Sequence, residues 1–159
     1  MSALEPGNRE HIKLWIESLE NDQIPQGQGA LRRSQYPGGP DEFCCLGVAC
    51  EVAIRNGVNL TVEPEDLNDG DKRWAYIWNP PQGGTLRNSD TLPKPVQEWL
   101  GIADDNPTLP NIRPFDPEDN DGYPDVGYVE AASANDDRGW DFDTIAEALR
   151  IKYDIPRTV

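Results

Sequence analysis

DEFCCLGVACEVAIRNG, residues 41–57, decides the fold. Asp41 reads as a helix N-cap, because its carboxylate can accept from backbone N–H groups of the first turn. Asn56-Gly57 reads as the stop, since glycine takes the left-handed conformation that closes a helix at no steric cost. In the body between them, past Glu42 beside the cap, only Glu51 and Arg55 are charged. A helix that is apolar nearly all round has no face to give to water, so it belongs in the middle of a core. The segment predicts a central, cysteine-bearing helix on which the other elements pack.

Working outward, Asn8 reads as the cap of an earlier helix, from about Arg9 to Glu20, with Glu10 suited to the positive end of its dipole. Ile12, Trp15, Ile16 and Leu19 share one face of it. Past the central helix, Val58, Leu60 and Val62 alternate with polar residues, so VNLTVE (58–63) reads as a half-buried strand. RWAYIW (73–78) is its antiparallel partner across the acidic turn EDLNDGD. Residues 79–125 hold nine prolines and one short helix, begun at Pro95, carrying Val96, Trp99 and Leu100 and ended by Gly101. DVGYVEAA (125–132) reads as a last strand and ANDDRGW (134–140) as a turn. Asp141 then caps a final helix whose Phe142, Ile145 and Leu149 share a face. The fold class expected is α+β: about four helices around the central apolar cysteine-bearing helix, a small antiparallel sheet, and long Pro/Gly-rich loops. The 159 residues suit a single domain, 1–159.

Charge narrows the partners. The net charge is −15, and residues 104–143 hold twelve acids against Arg113 and Arg138. Such a field repels nucleic-acid backbones and acidic membranes, so neither is expected as a direct partner. The same acids admit another reading, a nucleic-acid mimic that inhibits a host DNA-binding or defence protein. Prolines and glycines among them favour bends over a duplex-like row. MSALEPGNREH lacks the basic start and apolar run of a secretory signal, and no stretch approaches the roughly eighteen apolar residues of a membrane span. Three cysteines, two of them adjacent, make no disulfide framework and fit a reducing cytoplasm.

The candidate sites follow from residue chemistry. Placed on the central helix, Cys44 shares a direction with Glu51 and Arg55 and lies in the first turn, where the dipole lowers a thiol's pKa. Cys45 and Cys50 diverge from it and read as small buried hydrophobes, so the three sulfurs cannot converge on one metal. A thiol hydrolase would need Cys44 paired with the one histidine, His11, as base. DPEDNDG (116–122) departs from a calcium loop, with Pro117 where the first ligand belongs. No metal and no cofactor is expected. In QGQGALRR, Gly27 and Gly29 beside Arg32 and Arg33 form an anion-binding bend in outline, without the ending of a phosphate loop. The ligand-binding candidates are Gln26, Gly27, Gly29, Arg32, Arg33, Cys44 and Asp136.

Four blocks, QGQGALR (26–32), FCCLGVACEVA (43–53), LPKPVQEWLGI (92–102) and ANDDRGWDFDTIAEALR (134–150), together resemble a family of small uncharacterised proteins of tailed bacteriophages, many of actinobacteria. FCCLGVACE is the distinctive one. The resemblance implies a protein made in the cytoplasm of an infected bacterial cell and supplies no catalytic residues. The leading expectation is therefore a non-catalytic phage accessory protein that binds a host protein or a small ligand. The thiol hydrolase and the acidic mimic stand as alternatives.

Overall fold

Cys44, not Asp41, opens the central helix. The computed structural model describes residues 6–21, 23–34, 40–66, 72–113 and 127–157, and α2 runs from Cys45 to Arg55. Glu42 and Phe43, expected inside the helix, instead form strand β2 (Glu42–Phe43) against β1 (Arg32–Ser34). Their backbone groups are claimed by strand pairing: Phe43 N–H donates to Pro25 O (2.9 Å), and Phe43 O accepts from Gly27 N–H (2.8 Å). The helix can begin only after those bonds are made. Its body is as apolar as its sequence, with Cys45 through Cys50, Val52 and Ala53 all buried.

α2 is crossed at very short range. A Cβ built on Gly47 would lie 1.8 Å from Leu31 O, so only glycine lets that backbone pass over the helix. α1 (Pro6–Asn21), α3 (Lys94–Leu100) and α4 (Ala131–Asp136) pack on α2, and α5 (Phe142–Tyr153) packs on α1 and α4. The fold is α+β, with five helices among the described residues where about four are expected. The additional one is α4. Of the strand expected over 125–132, the described residues 127–132 place Tyr128–Glu130 in a strand (β7), paired with Thr108–Pro110 (β6). Beyond it Ala131 N–H still donates in register to Pro107 O (2.8 Å), and the chain then leaves the ladder, Ala132 N–H donating to Asn106 Oδ1 (2.9 Å). With those donors satisfied, the alanine-rich sequence coils, as its propensity favours.

The main sheet has the order β2-β1-β4-β3, with β5 (Leu86–Asn88) also on β4. β3 (Thr61–Asp66) and β4 (Lys72–Trp78) are antiparallel in register Thr61↔Ile77. The expected strand pair is present, but its first strand starts three residues late. Val58 N–H is held by Ala53 O at the end of α2 (3.0 Å), so the chain is still closing the helix where pairing was expected. Tyr76 on β4 is fully buried, and its hydroxyl donates to Glu51 Oε2 (2.8 Å), fastening sheet to helix.

The expected helix faces are buried, except that Trp99 of α3 is only half-buried. Ile12, Trp15 and Ile16 of α1, Val96 and Leu100 of α3, and Ile145 and Leu149 of α5 are all inaccessible. Trp15 also donates its indole N–H to Cys45 O (2.9 Å), which joins α1 to α2. Asp141 caps α5 as expected, accepting from Thr144 N–H (2.8 Å). Asn8 does not cap α1, which already begins at Pro6; it lies inside the helix and its amide donates to Trp99 O (3.3 Å). No described helix is long and apolar enough to cross a membrane.

One ion pair closes the helical layer. Arg150 of α5 donates from Nε (2.9 Å) and Nη2 (2.6 Å) to the Glu20 carboxylate of α1, both side chains being about nine-tenths covered. The Arg150 hydrogen bonds hold the Glu20 carboxyl below its ordinary pKa, against burial, which raises it. A carboxylate whose folded pKa is depressed contributes stability above its unfolded pKa and loses it as pH falls through the folded value. Glu20→Gln should therefore cost about 3 kcal/mol at neutral pH. The deficit against the unmutated protein should shrink below about pH 4.3, the free carboxyl value. Urea unfolding across that range measures it, and a deficit independent of pH would contradict the assignment.

Candidate functional site

A polar cleft lies where the first and last of the quoted sequence blocks face each other beside β2. The loop Gln26–Leu31 runs along β2, with Gln26 bridged in parallel to Phe43. Contact is close enough that a Cβ on Gly27 would stand 2.6 Å from Glu42 Cβ. Opposite the loop, residues 139–141 lead from α4 to α5. Between them is an open cleft of about 370 Å³ lined by Gln26, Gly27, Gln28, Arg33, Glu42 and the Gly139–Asp141 segment.

Its floor is built on a buried amide. Asn135 of α4 is fully inaccessible. Its Oδ1 accepts from Cys45 N–H (3.2 Å) and Gln26 Nε2 (2.9 Å), and its Nδ2 donates to Gly27 O (2.7 Å) and Asp136 Oδ1 (2.8 Å). Gln26 Nε2 also donates to Trp140 O (2.8 Å). Gln28 Nε2 reaches Asn135 O (3.2 Å). A buried amide with every donor and acceptor used is held in one orientation, since any rotation would leave polar atoms unpaired. Asn135 was not among the sequence candidates. AASAND offered the signal only if read as a helix: Ala131, Ala134 and Asn135 then share one face at i, i+3, i+4.

Of the sequence candidates, the structure brings Gln26, Gly27 and Arg33 to the cleft. Gly29, at φ +86°, shapes the loop without lining the cleft. Arg32 lies elsewhere. Its guanidinium pairs with Asp41 and packs over the Trp74 ring (4.2 Å) and the Phe43 ring (5.4 Å), so the residue expected to cap α2 holds an arginine instead. Asp136 stands behind the floor as a partner of Asn135. Asp116 through Asp125 of the acidic stretch, including DPEDNDG, lie outside the described residues.

Cys44, a ligand-binding candidate on the sequence, does not reach the surface. Cys44 is 3% accessible; it caps α2, its Sγ accepting from Gly47 N–H (3.4 Å). The dipole argument for a reactive thiolate fails on burial, which pushes the Cys44 thiol up to about 12 despite that hydrogen bond. Cys45 and Cys50 are fully inaccessible and likewise raised by burial. His11 is engaged on α3: its ring stacks on Trp99 at 4.2 Å. Nδ1 lies 2.6 Å from Trp99 O; a carbonyl only accepts, so Nδ1 carries the proton. No hydrogen bond joins His11 to Cys44. Among the described residues no three His, Cys, Asp or Glu side chains group so as to hold a metal.

With this geometry in view, comparison with known proteins adds one relationship. A family model described as "Domain of unknown function (DUF8296)" matches residues 8–153. The chain belongs to that family. No curated protein and no solved structure matches it. The DUF8296 match takes in the whole cleft, the Asn135 floor, and both Glu20 and Arg150. It stops short of Arg157, which adds an outer contact to Glu20 (3.1 Å).

The thiols supply a direct check on this DUF8296 core. With 5,5′-dithiobis(2-nitrobenzoate), none of Cys44, Cys45 and Cys50 should react in the native protein, and all should react once it is unfolded in guanidinium. Rapid native labelling of Cys44 would restore the thiol nucleophile that its burial argues against.

Proposed function

We propose that this chain is a non-catalytic accessory protein of a tailed bacteriophage, acting in the cytoplasm of the infected bacterium by binding. Its partner is a host protein or a small ligand, and the binding site is the cleft between Gln26–Gln28 and Gly139–Asp141. The observation that carries the reading is the construction of that cleft. Its floor is fixed by the Asn135 amide, while its walls are polar side chains that border open solvent. Loops held rigid by a buried polar network, yet open to solvent, have the pre-organisation that lowers the entropic cost of binding. The thiol-hydrolase alternative lacks such support. Cys44 is buried and capping, and His11 is committed to Trp99.

Site-specific photo-crosslinking in the infected host tests the proposal. A photoreactive phenylalanine analogue at Gln28, exposed at the mouth of the cleft, should yield a discrete adduct by intact-mass spectrometry. The same analogue at Ile151, exposed on α5, should not. No adduct at Gln28, or equal adducts at both positions, would overturn the assignment of the cleft as the binding site.

A further inference from the structure

The C-terminal end of α2 encloses the one Asn-Gly pair of the chain, Asn56-Gly57. Hydrogen bonds close the helix there. Val58 N–H donates to Ala53 O (3.0 Å) and Gly57 N–H to Ile54 O (3.1 Å), the paired bonds by which a left-handed glycine ends a helix. Gly57 stands at φ +97°. The Asn56 side chain adds another bond, its Nδ2 donating to Val52 O (2.8 Å). Both residues are nevertheless exposed, and nothing stands within 4 Å of where a Gly57 Cβ would be, so water reaches the pair.

The pair that makes this cap is also chemically labile. A backbone nitrogen can attack the carboxamide of the asparagine before it, and glycine leaves that nitrogen unshielded. In that reaction Gly57 N gives its proton to solvent base and bonds Asn56 Cγ, while the Cγ–Nδ2 bond breaks and Nδ2 departs as ammonia. Water then opens the cyclic imide at one of its two carbonyls. The product is aspartate, with the chain path intact, or isoaspartate, with the path running through Cβ. In the folded chain the cap holds this reaction off. The N–H of the nucleophile is donated to Ile54 O and that of the leaving group to Val52 O. A ψ of 19° at Asn56 turns the Gly57 nitrogen away from the side chain it would attack.

We infer that Asn56 is a site of spontaneous deamidation gated by the α2 cap, intact while the cap is closed and reactive when it opens. Local opening at an element's end costs far less than global unfolding, so the gate operates in the folded protein. The change is one-way. Aspartate has no side-chain N–H for Val52 O, and it sets a negative charge beside the negative end of the helix dipole. Isoaspartate adds a main-chain atom between Ile54 O and Gly57 N–H, so their bond loses its register. Either product weakens the cap at the point where α2 hands the chain to β3. The site lies apart from the cleft, on the groove that Asn56 lines with Leu14, Val52 and Arg55, and it does not depend on the cleft's being a binding site.

Peptide mass spectrometry of the full chain tests it, after incubation in mildly alkaline buffer, native or unfolded in urea. The unfolded chain should convert at Asn56 ahead of every other asparagine, and native conversion there should be at least about tenfold slower. Hydrogen exchange in the native buffer should show Gly57 N–H protected by the same factor to within about threefold, because one opening frees it for both reactions. A smaller slowing, or one outside that match, would overturn the gate. Conversion led by another asparagine in the unfolded chain would overturn the site. Asn56→Asp, which places one product in the cap directly, should quicken exchange at Gly57 and Val58 by at least about threefold while leaving Ile145 unchanged. Exchange unaltered at Gly57 and Val58 would overturn the claim that the reaction damages the cap.

Discussion

The buried side-chain amide of Asn135 is the interaction on which the candidate site depends. It is fully inaccessible, and its two polar atoms meet the first turn of α2, the Gln26–Gly27 loop and its own neighbour Asp136. Burying an amide without partners costs several kcal/mol in an apolar medium. Fully paired, the same group becomes a specification, because only one arrangement of the three segments satisfies it. Gln26 extends the network to Trp140, so the loop and the α4–α5 connection are held at a fixed separation. The cleft is the space left between them.

The network is possible because α2 is placed first by a different force. Its apolar body is buried on all sides, and each large side chain removed from water contributes roughly 1.5–3 kcal/mol. Gly47 then lets the Leu31 backbone cross at a distance no side chain would allow. That crossing brings the preceding loop to the start of the helix, where the Cys45 N–H needs an acceptor from outside. Asn135 supplies it. The cysteines follow the same logic: Cys44 caps, Cys45 and Cys50 fill space, and burial suppresses the reactivity that a helix start would otherwise lend a thiol.

How much of this was legible in the sequence depended on whether the signal was local. The central helix, the faces of α1 and α5, the Asp141 cap and the β3–β4 pairing were readable, because periodicity and capping chemistry act over a few residues. The start of α2 was misplaced because Asp41 has the chemistry of a cap, and only tertiary pairing reveals that Phe43 belongs to a strand. α4 was missed because its six residues follow a strand directly and contain Ser, Asn and Asp, which read as turn. For the site, Gln26, Gly27 and Arg33 were singled out from a glycine-rich loop with polar handles, and they do line the cleft. Asn135 was overlooked because a buried asparagine is defined by partners 90 or more residues away. The Glu20–Arg150 pair escaped for the same reason, since 130 residues separate its members.

Amide hydrogen exchange of the Asn135→Ala protein tests the central claim most directly. The substitution orphans the Cys45 N–H, Gly27 O and one donor of Gln26, a loss of about 3 kcal/mol. Because these groups hold the loop to α2, exchange should quicken at Gly27 and Cys45 well before it changes at Ile145, whose N–H is bonded within the α5 cap (3.1 Å). Such selective loss of protection would show that the Asn135 amide builds the cleft. Protection at Gly27 and Cys45 unchanged, or lost in step with Ile145, would contradict that.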